Sequence, residues 1–156
     1  MNRHMRKNDF DPREFRATAQ EKVRAVYADL AARPIQRNCT LLTECCNFKL
    51  TGSTPYVTKG EALVAAKALR AAGRKELPER TDGICPMLHP RSGRCLIYAA
   101  RPFGCRTHFC EAAGGPYART EVLDLIRRLE EIDEKLDGEG VRKLPEALAD
   151  ALDELS

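Results

Sequence analysis

ICPMLHPRSGRCLIYAARPFGCRTHFC, residues 84 to 110, carries four of the chain's seven cysteines, Cys85, Cys95, Cys105 and Cys110, and two of its three histidines, His89 and His108. Leu and Val fill a core without redox liability, so four thiols in one short window point to a use for the sulfur itself. Two apolar runs, Ile84 to Leu88 and Cys95 to Tyr98, flank a Pro-Arg-Ser-Gly turn and predict a hairpin. If His89 pairs with Arg94, Leu88 faces Cys95 and Cys85 falls near Tyr98, so the hairpin does not set Cys85 directly across from Cys95. Past the hairpin, Pro102 opens a helical turn that places Cys105 one turn from His108 and Phe109.

Upstream lies a second knot, Cys39, Cys45 and Cys46, within NCTLLTECCNFKLTGSTPYVT, residues 38 to 58. Thr, Asn and Gly around these cysteines read as loop, with Phe48 and Leu50 beginning a short strand. Neighbouring side chains alternate faces of an extended chain, so Cys45 and Cys46 read as ligands of two ions, as parts of one bridged site, or as one ligand beside a core thiol. The fold is expected to bring the two knots together, with helices as their frame.

Those helices are visible in the periodicity. Asp11, Pro12 and Glu14 carry a capping-box start, and Val23, Val26, Tyr27 and Leu30 fall on one stripe, opposite Arg24 and Asp29, until Pro34 stops the helix. No chemistry shows on this helix. Thr58 and Glu61 repeat the capping spacing ahead of a second helix with Ala62, Leu63, Ala66 and Leu69 on one face and Gly73 as its C-terminal cap. Residues 74 to 83 read as a connecting loop. Val122, Leu125, Ile126, Leu129, Ile132 and Leu136 form a third stripe, with Glu130, Glu131 and Glu134 outside it, ending at Gly138 and Gly140. A last helix opens at Pro145 with Leu148, Leu152 and Leu155 on one side. These last stripes either close the domain or pair with a protein partner or a second copy in a homodimer. The expected fold class is α+β, mostly α: amphipathic helices framing a small hairpin and cysteine-rich loops that form a metal site. Residues 1–10 read as a disordered lead and 11–156 as a single cysteine-cluster domain, with metal-binding segments 38–57 and 84–110 and C-terminal helices over 118–156.

At 156 residues the chain can fold without staples, and an odd number of cysteines leaves one over from any complete disulfide framework. The charged N-terminus lacks the apolar core of a secretory signal, and no apolar run reaches membrane-spanning length. A cytoplasmic protein with reduced thiols and no membrane partner is the expectation. Residues 1 to 117 carry twenty Lys/Arg against eleven Asp/Glu, and residues 118 to 156 six against twelve. A basic cysteine-bearing region suits clustered thiolates or an anionic partner, or is simply a solvated surface. Few aromatics and no Trp argue against a base-stacking surface, so nucleic acid is not an expected partner. No phosphate loop, dinucleotide fingerprint or serine-hydrolase elbow occurs.

Thiolates suit zinc, iron and iron-sulfur clusters, each typically held by four donors with imidazole as a replacement. Cys39, Cys45, Cys46, Cys85, Cys95, Cys105 and Cys110, with His108, furnish donors for two tetrahedral sites. The spacings contain no C-x2-C knuckle and match neither common ferredoxin run. The candidates are a metal-binding protein holding zinc or iron for structure, storage or delivery, and an iron-sulfur redox protein or electron carrier. A thiol enzyme with Cys105 as nucleophile and His108 as base lacks an evident third carboxylate. Arg101 and Arg106 either favour a thiolate at Cys105, or satisfy loop carbonyls or pair with Glu44 or Glu111. Tyr98 is expected in the core, and His89 and His4 at the surface.

Cys39-x5-Cys45-Cys46, then Cys85-Pro86-x-Leu88, then Cys95-x-Ile97-Tyr98-x2-Arg101-Pro102-x2-Cys105-Arg106 with Cys110 behind, resembles the YkgJ-like cysteine-cluster family of zinc or iron chelators named for its CxxCxxCC signature. The resemblance spans about Asn38 to Cys110 and implies a bacterial metal-chelating domain, of a kind often labelled an iron-sulfur oxidoreductase. Cys39, Cys45 and Cys46 match the first, third and fourth cysteines of the signature, and Leu42 stands at the second. His108 or water would then complete the ligand set.

Overall fold

A computed structural model describes residues 11–33, 55–77, 84–89, 91–92, 94–107 and 118–155. The expected lead over 1–10, the strand at Phe48 and Leu50, and the first cysteine knot lie outside the described residues. Helix α1, Pro12–Ala31, begins where the sequence predicts: Asp11 is extended and its Oδ1 accepts from the Arg13 amide at 2.8 Å, with Pro12 at the first helical position. Val23, Val26, Tyr27 and Leu30 are all buried.

Strand β1 is only Tyr56–Val57, and helix α2 follows directly as Lys59–Ala71. Gly73 takes a φ of +85°, so that its own amide reaches Arg70 O and the Arg74 amide reaches Leu69 O, both at 3.0 Å. These paired bonds close the helix as a left-handed glycine cap. Only one face of α2 was expected to be apolar, but burial runs from Gly60 without a break to Ala66 and again at Leu69. The physical reason is size. Gly60 and the alanines at 62, 65 and 66 leave room for neighbours on several sides, and a Cβ at Gly60 would sit 2.9 Å from Val23 Cγ2 and 3.0 Å from Ile132 Cγ2.

After a one-turn 3-10 segment, Tyr98–Ala100, comes the short helix α3, Phe103–Thr107. A second 3-10 turn, Arg119–Glu121, leads into α4, Leu123–Lys135, followed by strand β2, Arg142–Lys143, and helix α5, Leu144–Leu155. Helix α2 is the centre. It packs most extensively on α5, then on α1 and α4, while α1 also lies against α4. The C-terminal stripes are thus spent inside this chain: Leu125, Leu129 and Ile132 of α4, and Leu144, Leu148 and Leu152 of α5, all belong to the same core as Val23 and Leu63. No helix of the described residues is long and apolar enough to cross a membrane.

The fold is mostly α with a small β component, as expected, but the β pairing falls elsewhere. The ladder joins two distant segments, antiparallel β1 and β2, with Tyr56 opposite Lys143 and Val57 opposite Arg142. The Leu144 amide extends it to Pro55 O at 2.9 Å. At the predicted hairpin the register is the expected one, with His89 N donating to Arg94 O at 2.8 Å and Leu88 bridged to Cys95, yet only an isolated bridge forms. Turns on both sides of the bridge, including Leu88 N to Cys85 O at 3.1 Å, bend the backbone away from a longer ladder.

Candidate metal centre

The cysteine segment is held to the helical frame by its apolar side chains. Met87 and Ile97 are buried, and Cys85 and Leu88 join them in the core, with Cys95 packed against it. Cys85 is buried, whereas Cys95 and Cys105 keep partial access to solvent. Leu96 N donates to Met87 O at 2.9 Å, which fixes the two limbs of the segment to each other around Leu88 and Cys95.

Around Cys105 the geometry is more specific. Pro102 starts the turn, and its carbonyl accepts from the Cys105 amide at 3.0 Å and the Arg106 amide at 3.1 Å. The Phe103 amide, which a helix start leaves without an intrahelical partner, donates instead to Glu61 Oε1 at 2.7 Å. The same oxygen accepts from the Tyr27 hydroxyl at 3.2 Å. Glu61 Oε2 faces its own helix start, accepting from the Thr58 amide at 2.9 Å and the Thr58 hydroxyl at 3.1 Å. One buried carboxylate therefore joins α1, the start of α2 and the start of α3. Burial pushes the Glu61 carboxyl above its ordinary range, opposed by the bonds from Thr58, Phe103 and Tyr27. The Tyr27 hydroxyl is raised well above its ordinary value, first by burial and then by the negative charge of Glu61.

Arg101 and Arg106 satisfy loop carbonyls, as one of the two expectations has it. Arg106 gives its Nε to Arg101 O and its Nη2 to Ala99 O, both at 2.6 Å, and its guanidinium lies 4.1 Å from the centre of the Tyr27 ring. Arg101 donates from Nε to Tyr98 O at 3.0 Å, and its guanidinium covers the Tyr98 ring at 3.9 Å. Partial burial lowers the Arg106 pKa, while Tyr27, Cys105 and Glu61 act to raise it, so Cys105 lies within the electrostatic reach of this cation. Tyr98 was expected in the core and is 43% exposed instead; the Arg101 guanidinium shields one face of its ring and supplies the packing a core would. His89, expected at the surface, is partly buried, and its Nδ1 accepts from the amides of Arg91 at 3.1 Å and Ser92 at 3.2 Å, which caps the turn.

Three of the predicted ligands, Cys85, Cys95 and Cys105, fall in the described residues; Cys39, Cys45, Cys46, Cys110 and His108 lie outside them, as do Leu42 and His4. Among the described residues no group of three or more His, Cys, Asp or Glu is placed to hold a metal ion. The donor chemistry nonetheless fits a soft or borderline cation: these are thiols, two of them partly accessible, on backbone that hydrogen bonds and apolar anchors hold in place.

A family model described as "Putative zinc- or iron-chelating domain" and named CxxCxxCC matches residues 36–124, more than half of the chain. The chain belongs to the CxxCxxCC family. The match takes in both cysteine knots and His108, and its upstream end precedes Cys39. No curated protein and no solved structure matches the chain. Membership in the CxxCxxCC family supports metal binding as the general role.

Sequence reasoning missed the Glu61 and Tyr27 tie, although each left a trace. A capping-box glutamate uses one carboxylate oxygen on its own helix start, which leaves the second without an assigned donor. A tyrosine on a buried helical stripe likewise needs a partner for its hydroxyl. Neither trace names the partner, because Tyr27, Glu61 and Phe103 are 34 and 42 residues apart.

Proposed function

We propose that this chain binds zinc or iron through its cysteine cluster, for structure, storage or delivery of the metal. The single observation that carries the reading is the family match over 36–124, a span that contains all seven cysteines and His108. Cys85, Cys95 and Cys105 are the donors from the described residues, and Cys39, Cys45, Cys46, Cys110 and His108 complete the set, with Leu42 leaving one position of the signature to His108 or water. The cation supplies a point at which thiolates from both knots are tied together. Thiols lose their protons on ligation, so loading releases acid and weakens as pH falls. A reducing cytoplasm would keep the cluster in its ligating state.

Elemental analysis and an absorption spectrum of anaerobically purified protein test this. A colourless protein with stoichiometric zinc is the result that fits a structural or delivery site. Brown protein with acid-labile sulfide would replace it with the iron-sulfur alternative, a redox protein or electron carrier. Protein that is folded, fully reduced and free of metal, and that takes up neither zinc nor iron on titration, would end the metal reading.

A further inference from the structure

Two connections run from the helical frame to the residues on either side of Cys105, and both meet at one carboxylate. On the N-terminal side, the Phe103 amide donates to Glu61 Oε1 at 2.7 Å. On the C-terminal side, the Arg106 guanidinium rests 4.1 Å above the Tyr27 ring, and the hydroxyl of that ring donates to the same Glu61 oxygen at 3.2 Å. Between them the Cys105 amide closes on Pro102 O at 3.0 Å. The backbone that carries Cys105 is thereby gripped from before and after, while Cys105 itself stays partly accessible. Glu61 is buried, and its two oxygens receive four donors, so the carboxylate has no contact to spare for a metal.

We propose that Glu61 is a positioning residue of the metal centre, which sets the place of Cys105 through the Phe103 amide and through Tyr27 and Arg106. This inference rests on the metal reading above and adds a residue that contributes no ligand atom. Glu61→Gln keeps one carbonyl oxygen but turns an amide nitrogen toward donors, so either the Thr58 side or the Phe103 side of the junction loses its acceptor. Removing a partner that orients a metal ligand commonly weakens metal affinity by about 10 to 100-fold.

The probe is cobalt(II), which reports thiolate ligation by its ligand-field and charge-transfer bands. Wild type, E61Q and L148A are loaded, and the rate of cobalt transfer to a chelator is measured with the spectrum. Leu148 is buried in α5, and its apolar side chain supplies none of the hydrogen bonds of that junction, so its truncation reports what general loss of core stability does to release. The expected result is release from E61Q faster by about 10-fold or more, with altered bands, and L148A close to wild type. Equal release and identical bands in E61Q and wild type overturn the positioning role and leave the metal reading standing. Acceleration in L148A as large as in E61Q also overturns it, since general loosening then accounts for the effect. Wild type that binds no cobalt and no zinc overturns the metal reading and this inference with it. Should E61Q fail to fold, amide exchange in wild type decides: zinc should slow exchange at the Phe103 amide by about 10-fold while leaving the α5 amides unchanged, by the reciprocity of coupled equilibria. No change at Phe103 rejects the coupling.

Discussion

Glu61→Ala should destabilise the fold by about 3 kcal/mol or more, because each buried donor stripped of its acceptor costs roughly 1 to 3 kcal/mol and four donors lose one here. These are the Thr58 amide and hydroxyl, the Phe103 amide and the Tyr27 hydroxyl. The loss is less than the sum of four, since deleting the carboxylate also removes the cost of burying its charge, the largest influence on its protonation. That offset depends on pH. The folded-state pKa of Glu61 is raised above its ordinary value of 4.5, so the folded state holds the proton more tightly than the unfolded one. Its titration contributes stability that is full below 4.5 and is lost as pH rises through the raised folded value. The protonated carboxyl remains satisfied, since the hydroxyl of Thr58 or Tyr27 can turn and accept. Urea unfolding of wild type and E61A across pH should therefore give a difference that is largest in mild acid and shrinks toward neutrality. A difference below about 1 kcal/mol in mild acid would show that the junction is a bystander.

Asp133→Ala should cost about 2 to 3 kcal/mol, because it leaves two backbone donors unpaired and removes a negative charge from a helix start. Asp133 is buried near the end of α4, where Oδ1 accepts from the Lys59 amide at 2.8 Å and Oδ2 from the Gly140 amide at 2.9 Å. The first bond caps α2 and the second holds the turn that delivers β2. Its own backbone carbonyl accepts from the Gly138 amide at 2.8 Å, and a Cβ at Gly138 would collide with the Asp133 carboxylate. Asp133→Asn keeps one acceptor oxygen and should lose about half as much. Thermal or urea unfolding of the two variants checks both the size and the order. An alanine variant as stable as wild type would mean that water replaces the carboxylate at both amides.

The two junctions differ in what a reader of the sequence can find. Thr58 and Glu61 announce a helix start by spacing alone, and that bond is present. The stripes at Val23, Val26, Tyr27 and Leu30 and from Val122 to Leu136 are buried as their period demands, Ile126 only partly, because a 3.6-residue repeat is a property of the local chain. The register at His89 and Arg94 was also legible, since the turn length sets which residues meet. Asp133 carried half a signal. It lies four residues after Leu129 and seven after Ile126, on the apolar stripe and apart from Glu130, Glu131 and Glu134, but that spacing does not name its partners, since Lys59 and Gly140 belong to other elements.

What the amino-acid order determines on its own is local: the helices, their apolar faces and caps, the turn between Leu88 and Cys95, and the cysteine pattern that marks the family. Folding in three dimensions decided that α2 is enclosed on several sides, that the strand pair joins residues 56–57 to 142–143, that Tyr98 lies outside, and that Arg106 stacks on Tyr27. It also decided the destination of the second Glu61 oxygen. The physical reason is one of range. Periodicity and capping are settled within a few residues, whereas a buried donor finds its acceptor only after distant helices have packed, among whichever polar groups the same packing has shut away from water.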